Sequence, residues 1–364
     1  MLGSKASYNQ IRFDALVSGA KRAKKLWNSL KGVVIAFAIV FIIIGGLYLY
    51  SGVWPPLVVI ESASMQHSDA RSYIGVIDTG DLVILKKETA LSSVRTYLGS
   101  VNDGYSTYGE LGDVVIYRPN GDYGTTPIIH RALCEIVYNH TGGGFDVPAL
   151  ASVPESMWDV EGGEKAWYNI HTVLVLHDIG YNQIDVDINL GTIISNFGAS
   201  TPEGGLITLG DNNHGNIDQT SLIKNGKYVK PIKGDWLNGI ARGELPWFGI
   251  IKLFASGQSS YVPIPQNSKT NLLISLGLII GIPILIDATS LILESKGISA
   301  GAWFRKKLGL PPKKAKAPKQ LEKTDEVKAP AKQASGGNPQ GKSKPSSPKQ
   351  SPKGSSGKKG KGSR

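Results

Sequence analysis

Nineteen consecutive residues from Gly32 to Tyr50, GVVIAFAIVFIIIGGLYLY, carry no formal charge. At 1.5 Å per residue a helix of that length covers about 30 Å, the thickness of a bilayer's hydrocarbon core. The run is too long for most cleavable leaders, and the Tyr-Ser-Gly-Val-Trp-Pro-Pro that follows lacks the small residues of a cleavage site. It therefore reads as an anchor over 32–50, with Tyr48, Tyr50 and Trp54 as an interfacial aromatic belt. A second apolar stretch, 271–293, is interrupted only by Pro283, Asp287 and small residues, and reads as a second transmembrane helix.

Charge distribution sets the orientation. Residues 1–50 hold seven basic residues against Asp14 alone. The central 51–270 carries 14 basic and 23 acidic residues, and 296–364 carries 19 basic and three acidic. Lys21, Arg22, Lys24, Lys25 and Lys31 precede the first run, and Lys296, Arg305, Lys306 and Lys307 follow the second. The positive-inside rule then places the basic 1–31 segment and the 294–364 tail in the cytoplasm, with the acidic body outside. The formal net charge of +11 thus belongs to the ends, so no specific nucleic-acid partner is expected. After about residue 310, Lys, Pro, Ser and Gly dominate and disorder is expected.

Between the runs, Gly80-Asp81-Leu82-Val83-Ile84-Leu85 and Gly112-Asp113-Val114-Val115-Ile116-Tyr117 repeat one pattern, a Gly-Asp turn launching a β-branched strand. Further strands are expected at 56–60, 128–132, 172–176, 184–188 and 205–210, which makes the body predominantly β, with helix chiefly in the spans. Residues 139–204, opened by three glycines and closed by Thr-Pro-Glu-Gly-Gly, read as an accessory insertion packed over the sheet. Cys134 is the sole cysteine, so no intrachain disulfide is possible. No His-Glu-x-x-His pair or phosphate-binding glycine loop is present, and neither metal nor cofactor is expected.

Three separated residues can make one chemistry. Ser64 follows an apolar strand just beyond the first span; a serine hydroxyl becomes a nucleophile when a neighbouring base takes its proton. His130 can be that base, and a carboxylate on its second nitrogen would orient it. Asp218 is the first choice for the carboxylate, with Asp211 in Gly210-Asp211-Asn212-Asn213 as the supporting or alternative acid.

The order Ser64-Met65, Gly80-Asp81, Gly112-Asp113, His130-Arg131 and Gly210-Asp211-Asn212-Asn213 with Asp218 resembles type I signal peptidases. It is most similar to the archaeal and endoplasmic-reticulum branch, in which histidine replaces the lysine base. The resemblance covers roughly residues 33–140 and 205–250. It implies a membrane-bound serine endopeptidase that removes N-terminal signal peptides from secretory precursors after small-x-small sites. Ser64 would be nucleophile, His130 general base, Asp218 the final catalytic aspartate and Asp211 a supporting one. The Ser64 backbone amide, with the Ser62 hydroxyl, would form the oxyanion hole. Expected partners are precursors, the bilayer and the translocation machinery; the expected site is the plasma membrane of an archaeal-type cell. The usual pattern is Ser-Gly-Ser-Met followed shortly by proline, whereas the chain reads Ser62-Ala63-Ser64-Met65-Gln66-His67, with Ala63 in place of the glycine. A positive φ at Ala63 would be strained. The alternative is a noncatalytic membrane-anchored β-domain that binds or organises envelope proteins; a protease using Lys86 or Lys87 as base is a further variant.

Overall fold

The computed structural model describes Lys31 and residues 34–311 of the chain. The expected basic segment up to residue 30 and the tail beyond 311 lie outside the described residues. Elements run in the order α1 (Val34–Ser51), β1 (Leu57–Val59), β2 (Leu82–Lys86), α2 (Tyr97–Ser100), β3 (Ser106–Thr107), β4 (Glu110–Leu111), β5 (Val114–Tyr117) and β6 (Ile128–Tyr138). There follow β7 (Phe145–Asp146), β8 (Trp158–Glu161), β9 (Val173–Ile179), β10 (Ile184–Asn189), α3 (Leu190–Ser195), β11 (Gly205–Leu209) and α4 (Asp218–Ser221). The last are β12 (Ile223–Lys224), β13 (Lys227–Tyr228), β14 (Leu237–Leu245), α5 (Gly249–Ala255), α6 (Ser268–Ser295) and α7 (Ala300–Lys307). The chain divides into two compact units, one through Ile292 and one from Leu293. The second holds α7, a short helix in the segment expected to be only a basic tail, capped where the Ser299 hydroxyl accepts from Ala302 N–H.

A seven-stranded antiparallel sheet orders β1-β2-β14-β5-β6-β11, with β7 added to β6. The two Gly-Asp turns open β2 and β5 as the sequence pattern predicts. Gly112 has a φ of +79°, and a Cβ there would lie 2.6 Å from the Tyr97 backbone nitrogen, so only glycine fits. Asp113 is fully buried and gathers Arg95 N–H, the Tyr105 hydroxyl and the Arg242 guanidinium, which ties β5 to β14. Asp81 likewise accepts from the Asp78 and Trp247 amides.

Residues 139–204 hold a separate three-stranded sheet, β10-β9-β8. Its inner side chains, among them Trp158, Leu174, Leu176, Val186 and Ile188, share one apolar core with Leu133, Cys134 and Ile207 of the large sheet. A second core of Val115, Tyr117, Ala132 and Leu206 lies on the opposite face. Pairing of β6 with β11 is interrupted by a bulge between Ile207, opposite Cys134, and Thr208, opposite Ala132.

Helices α1 and α6 are long and apolar enough to cross a membrane, and each is only 6% buried against protein. They are not core helices of the body. The second begins at Ser268, three residues earlier than the apolar run, because the helical backbone continues into the polar Ser268-Lys269-Thr270 lead-in.

Candidate active site

His130 lies on β6 directly opposite Val115 of β5, one residue before Arg131, which pairs with Val114 and with Leu209 of β11. Successive strand residues point to opposite faces, so the two neighbours serve different purposes. On the His130 side, Tyr117 of β5 and Thr208 of β11 share its face. On the Arg131 side stands Asp211.

Asp218, at the start of α4, is fully buried against the imidazole. His130 Nδ1 lies 2.7 Å from Asp218 Oδ2 and 2.9 Å from Oδ1. The same Oδ2 accepts from the Tyr117 hydroxyl at 2.6 Å and from Thr208 Oγ1 at 2.6 Å. Gln219 holds Thr208 in turn, accepting from its backbone N–H and donating to its hydroxyl. Burial, followed by the Asp218 charge, drives the Tyr117 hydroxyl well above its ordinary pKa, so it stays a donor. A carboxylate bonded this way requires the proton on Nδ1, leaving Nε2 with the lone pair. Tyr117 and Thr208 were not foreseen: a tyrosine and a threonine inside β-branched strands look like ordinary strand residues.

Nε2 faces the turn after β11. A Cβ on Gly210 would sit 2.8 Å from His130 Nε2, 2.6 Å from the Ser64 carbonyl oxygen and 2.8 Å from Asn213 Nδ2. Glycine is required because these three groups converge on it. The nucleophile segment is fixed to this turn by Asn212, whose N–H donates to the Ser64 carbonyl at 2.8 Å and whose side chain donates to the Ala63 carbonyl at 3.1 Å. Met65, beside Ser64, is 1% exposed and packs on Val114 and Ile116 beneath the segment. Ala63 does not have a positive φ, so the strain expected there does not arise.

Ser64 Oγ lies 3.2 Å from Ser62 Oγ, and in this structure forms no hydrogen bond with the imidazole. Among the described residues the Ser64 N–H donates to no protein acceptor, and the Ser62 hydroxyl is partnered by Ser64 Oγ. Such looseness is common before a substrate tightens a site.

Asp211 is not on His130. Its carboxylate takes a bidentate bond from Arg131, Nε at 2.8 Å and a terminal nitrogen at 2.7 Å, and a third from His67 Nε2 at 3.1 Å. Burial pushes the Asp211 carboxyl up, but Arg131 and His67 outweigh it and hold the group below the ordinary carboxylate range. The other terminal nitrogen of Arg131 reaches the carbonyls of Thr107, Glu110, Leu111 and Gly112. Arg131 with Asp211 is therefore an anchor for the β3–β4 loop.

Lys86 and Lys87 stand at the foot of α1, Lys86 over the Tyr50 ring and Lys87 N–H bonded to the Ser51 carbonyl. Ile60 is buried in the core, while Val59 and Leu82 are half-buried. Among the described residues no group of three or more His, Cys, Asp or Glu is arranged to hold a metal.

An imidazole with a buried carboxylate on Nδ1 thus converges with the Ser64 segment on one glycine. No protein-family model matches the chain, and no curated protein does. The functional reading accordingly rests on geometry and on the resemblance of motifs.

Proposed function

We propose that the chain is a membrane-bound serine endopeptidase that removes signal peptides from secretory precursors after small-x-small sites, in the manner of a type I signal peptidase. The observation that carries this reading is the buried Asp218–His130 pair aimed through Nε2 at the turn that grips Ser64. Holding a neutral imidazole, a carboxylate and two hydroxyls together in a core is costly unless the assembly has a use.

In this reading Ser64 Oγ leaves Ser62, changes its χ1 well and attacks the scissile carbonyl. His130 Nε2 accepts the hydroxyl proton as the bond forms, and Asp218 stabilises the resulting imidazolium. The oxyanion is met by the Ser64 N–H and the Ser62 hydroxyl. Collapse breaks the C–N bond, and the imidazolium proton goes to the departing amine. Water, deprotonated by the same nitrogen, then attacks the acyl-Ser64 ester and releases the signal peptide with a carboxyl end.

The substrate would arrive in lipid. In this reading the long apolar helices α1 and α6 are the two spans, with the basic flanks in the cytoplasm and the acidic body outside. Exposed Trp54, Ile74, Phe254 and Tyr261 lie on segments flanking these helices, as expected of a surface resting on a bilayer. An archaeal-type plasma membrane is the setting the resemblance implies, with the translocation machinery as neighbour.

The deciding experiment is cleavage of a small-x-small precursor by the full chain in liposomes, comparing wild type with Ser64→Ala and His130→Ala. Loss of cleavage in both folded variants is the expected result. Full cleavage by purified Ser64→Ala protein would remove the mechanism, and absence of cleavage by wild type would favour the noncatalytic β-domain.

A further inference from the structure

The insertion reaches the nucleophile. Its β9–β10 hairpin turns at residues 180–183, and Gly180 N–H donates to the Tyr97 hydroxyl at 3.1 Å, which pins the tip to the main domain. Tyr181, at that tip, stacks on the His67 ring with centroids 4.0 Å apart and planes 16° from parallel. The hydroxyl of Tyr181 donates to Asn212 Oδ1 at 3.3 Å. Both partners of Tyr181 lead to Ser64. His67 is three residues further along the same segment and is bonded to Asp211. Asn212 holds the carbonyls of Ala63 and Ser64 through two hydrogen bonds. One aromatic side chain from the insertion thus closes a loop of contacts around residues 63–67.

We infer that Tyr181 and His67 are positioning residues, through which the β8–β10 lobe holds the Ser64 segment in register with His130. The inference rests on the endopeptidase reading of the site. Its physical basis is the local chain: Ser64 lies in a turn outside any strand, with an alanine before it, so ladder hydrogen bonds do not fix its backbone. Fixation comes from side chains instead. The main domain anchors the segment through Met65, packed in the core, through buried Gln66, which accepts from the Thr79 N–H, and through Asn212. Asn212 is itself oriented by the Tyr181 hydroxyl, and its neighbour Asp211 is bonded by His67. At residue 67 a histidine stacked on a tyrosine from another sheet restrains the segment. Displacing a nucleophile by a fraction of an ångström lowers turnover while leaving the substrate's binding groove in place.

The experiment uses the full chain in liposomes, with kcat and KM for a small-x-small precursor measured in wild type, Tyr181→Ala, Tyr181→Phe, Tyr181→Trp, His67→Ala and the double variant. Tyr181→Ala and His67→Ala are expected to lower kcat about tenfold with KM changed less than about twofold, the signature of lost transition-state alignment. Tyr181→Phe and Tyr181→Trp keep the stack and should recover most of the loss, and the double variant should be no worse than the poorer single one. Tyr168→Ala, an exposed lobe residue away from the tip, should match wild type. If wild type cleaves and both alanine variants cleave equally well, the positioning role is overturned. If wild type does not cleave, the endopeptidase reading fails instead, and amide exchange over residues 62–67 decides the clamp. Faster exchange in Tyr181→Ala supports it, and unchanged exchange overturns it.

Discussion

Exchanging the two site carboxylates for amides, one at a time, separates chemistry from scaffolding. In Asp218→Asn the side-chain volume is kept, but three donors, His130 Nδ1–H and the Tyr117 and Thr208 hydroxyls, face a group that is half donor. The imidazole can then adopt the tautomer whose lone pair points inward, which removes the base from Ser64. A loss of about 10³–10⁴ in kcat is expected from that tautomer error, equivalent to about 4–5.5 kcal/mol of transition-state stabilisation. Stability should fall less, by about 1–3 kcal/mol for one donor left unpaired. In Asp211→Asn the balance is reversed. Arg131, its side chain 4% exposed, loses the carboxylate it is bonded to and keeps four neutral carbonyl acceptors. Breaking one partner of a buried pair costs about 3–5 kcal/mol, with the lower end expected because four carbonyls remain. Turnover of the folded fraction should stay within about tenfold of wild type. Cleavage of an internally quenched precursor gives kcat, and thermal melting in detergent gives stability. An Asp218→Asn enzyme that keeps more than a tenth of its turnover, while Asp211→Asn loses it all, would refute the assignment of the acid.

Gly210→Ala would place a methyl against the Ser64 carbonyl and His130 Nε2; a loss of at least about 10²-fold in kcat is expected from the displacement, read by the same assay with the melting point as control. Burial raises the Asp81 carboxyl to about 7, and burial raises Asp78 and Glu244 in the same direction. Because the folded Asp81 value lies above the unfolded one, its stabilisation is full below about pH 4 and is lost as pH rises through about 7, with Asp78 and Glu244 acting in the same direction. The melting temperature should therefore fall between pH 5 and 8, and Asp81→Asn should flatten that slope; an unchanged slope would count against the buried acid. Cys134 is fully buried and its thiol is pushed up to about 12, so the wild-type chain should not react with an impermeant maleimide. Tyr123→Cys, at an exposed position of the body, should be labelled from outside sealed cells, and labelling only after lysis would reverse the orientation.

Much of this was readable from residue order because each signal is local. Long apolar runs announce α1 and α6, and a Gly-Asp turn followed by β-branched residues announces β2 and β5. Ser64, His130 and Asp218 followed from the chemistry of their side chains joined to a motif order. What escaped was contributed across strands. Tyr117 and Thr208 matter only because pairing puts them on the His130 face, a relation spanning 101 and 10 residues from Asp218. The choice between Asp211 and Asp218 stayed open because they stand seven positions apart in one turn-rich segment. Only the fold sends one to each side of β6. Tyr181 was hidden most completely, since its partner His67 lies in another domain region and stacking leaves no spacing to read.

The bulge in β6 has a further consequence. It turns Leu133 and Cys134 toward the same core, and thereby sets the phase in which Thr208 meets His130 rather than Arg131. The strand behaves like a reading frame: drawing Leu133 into the ladder opposite Thr208, instead of leaving it as the extra residue, would exchange the partners of His130 and Arg131 while leaving every amino acid of the site present. An inserted or deleted residue between His130 and Ala132 should therefore cost far more than a substitution there.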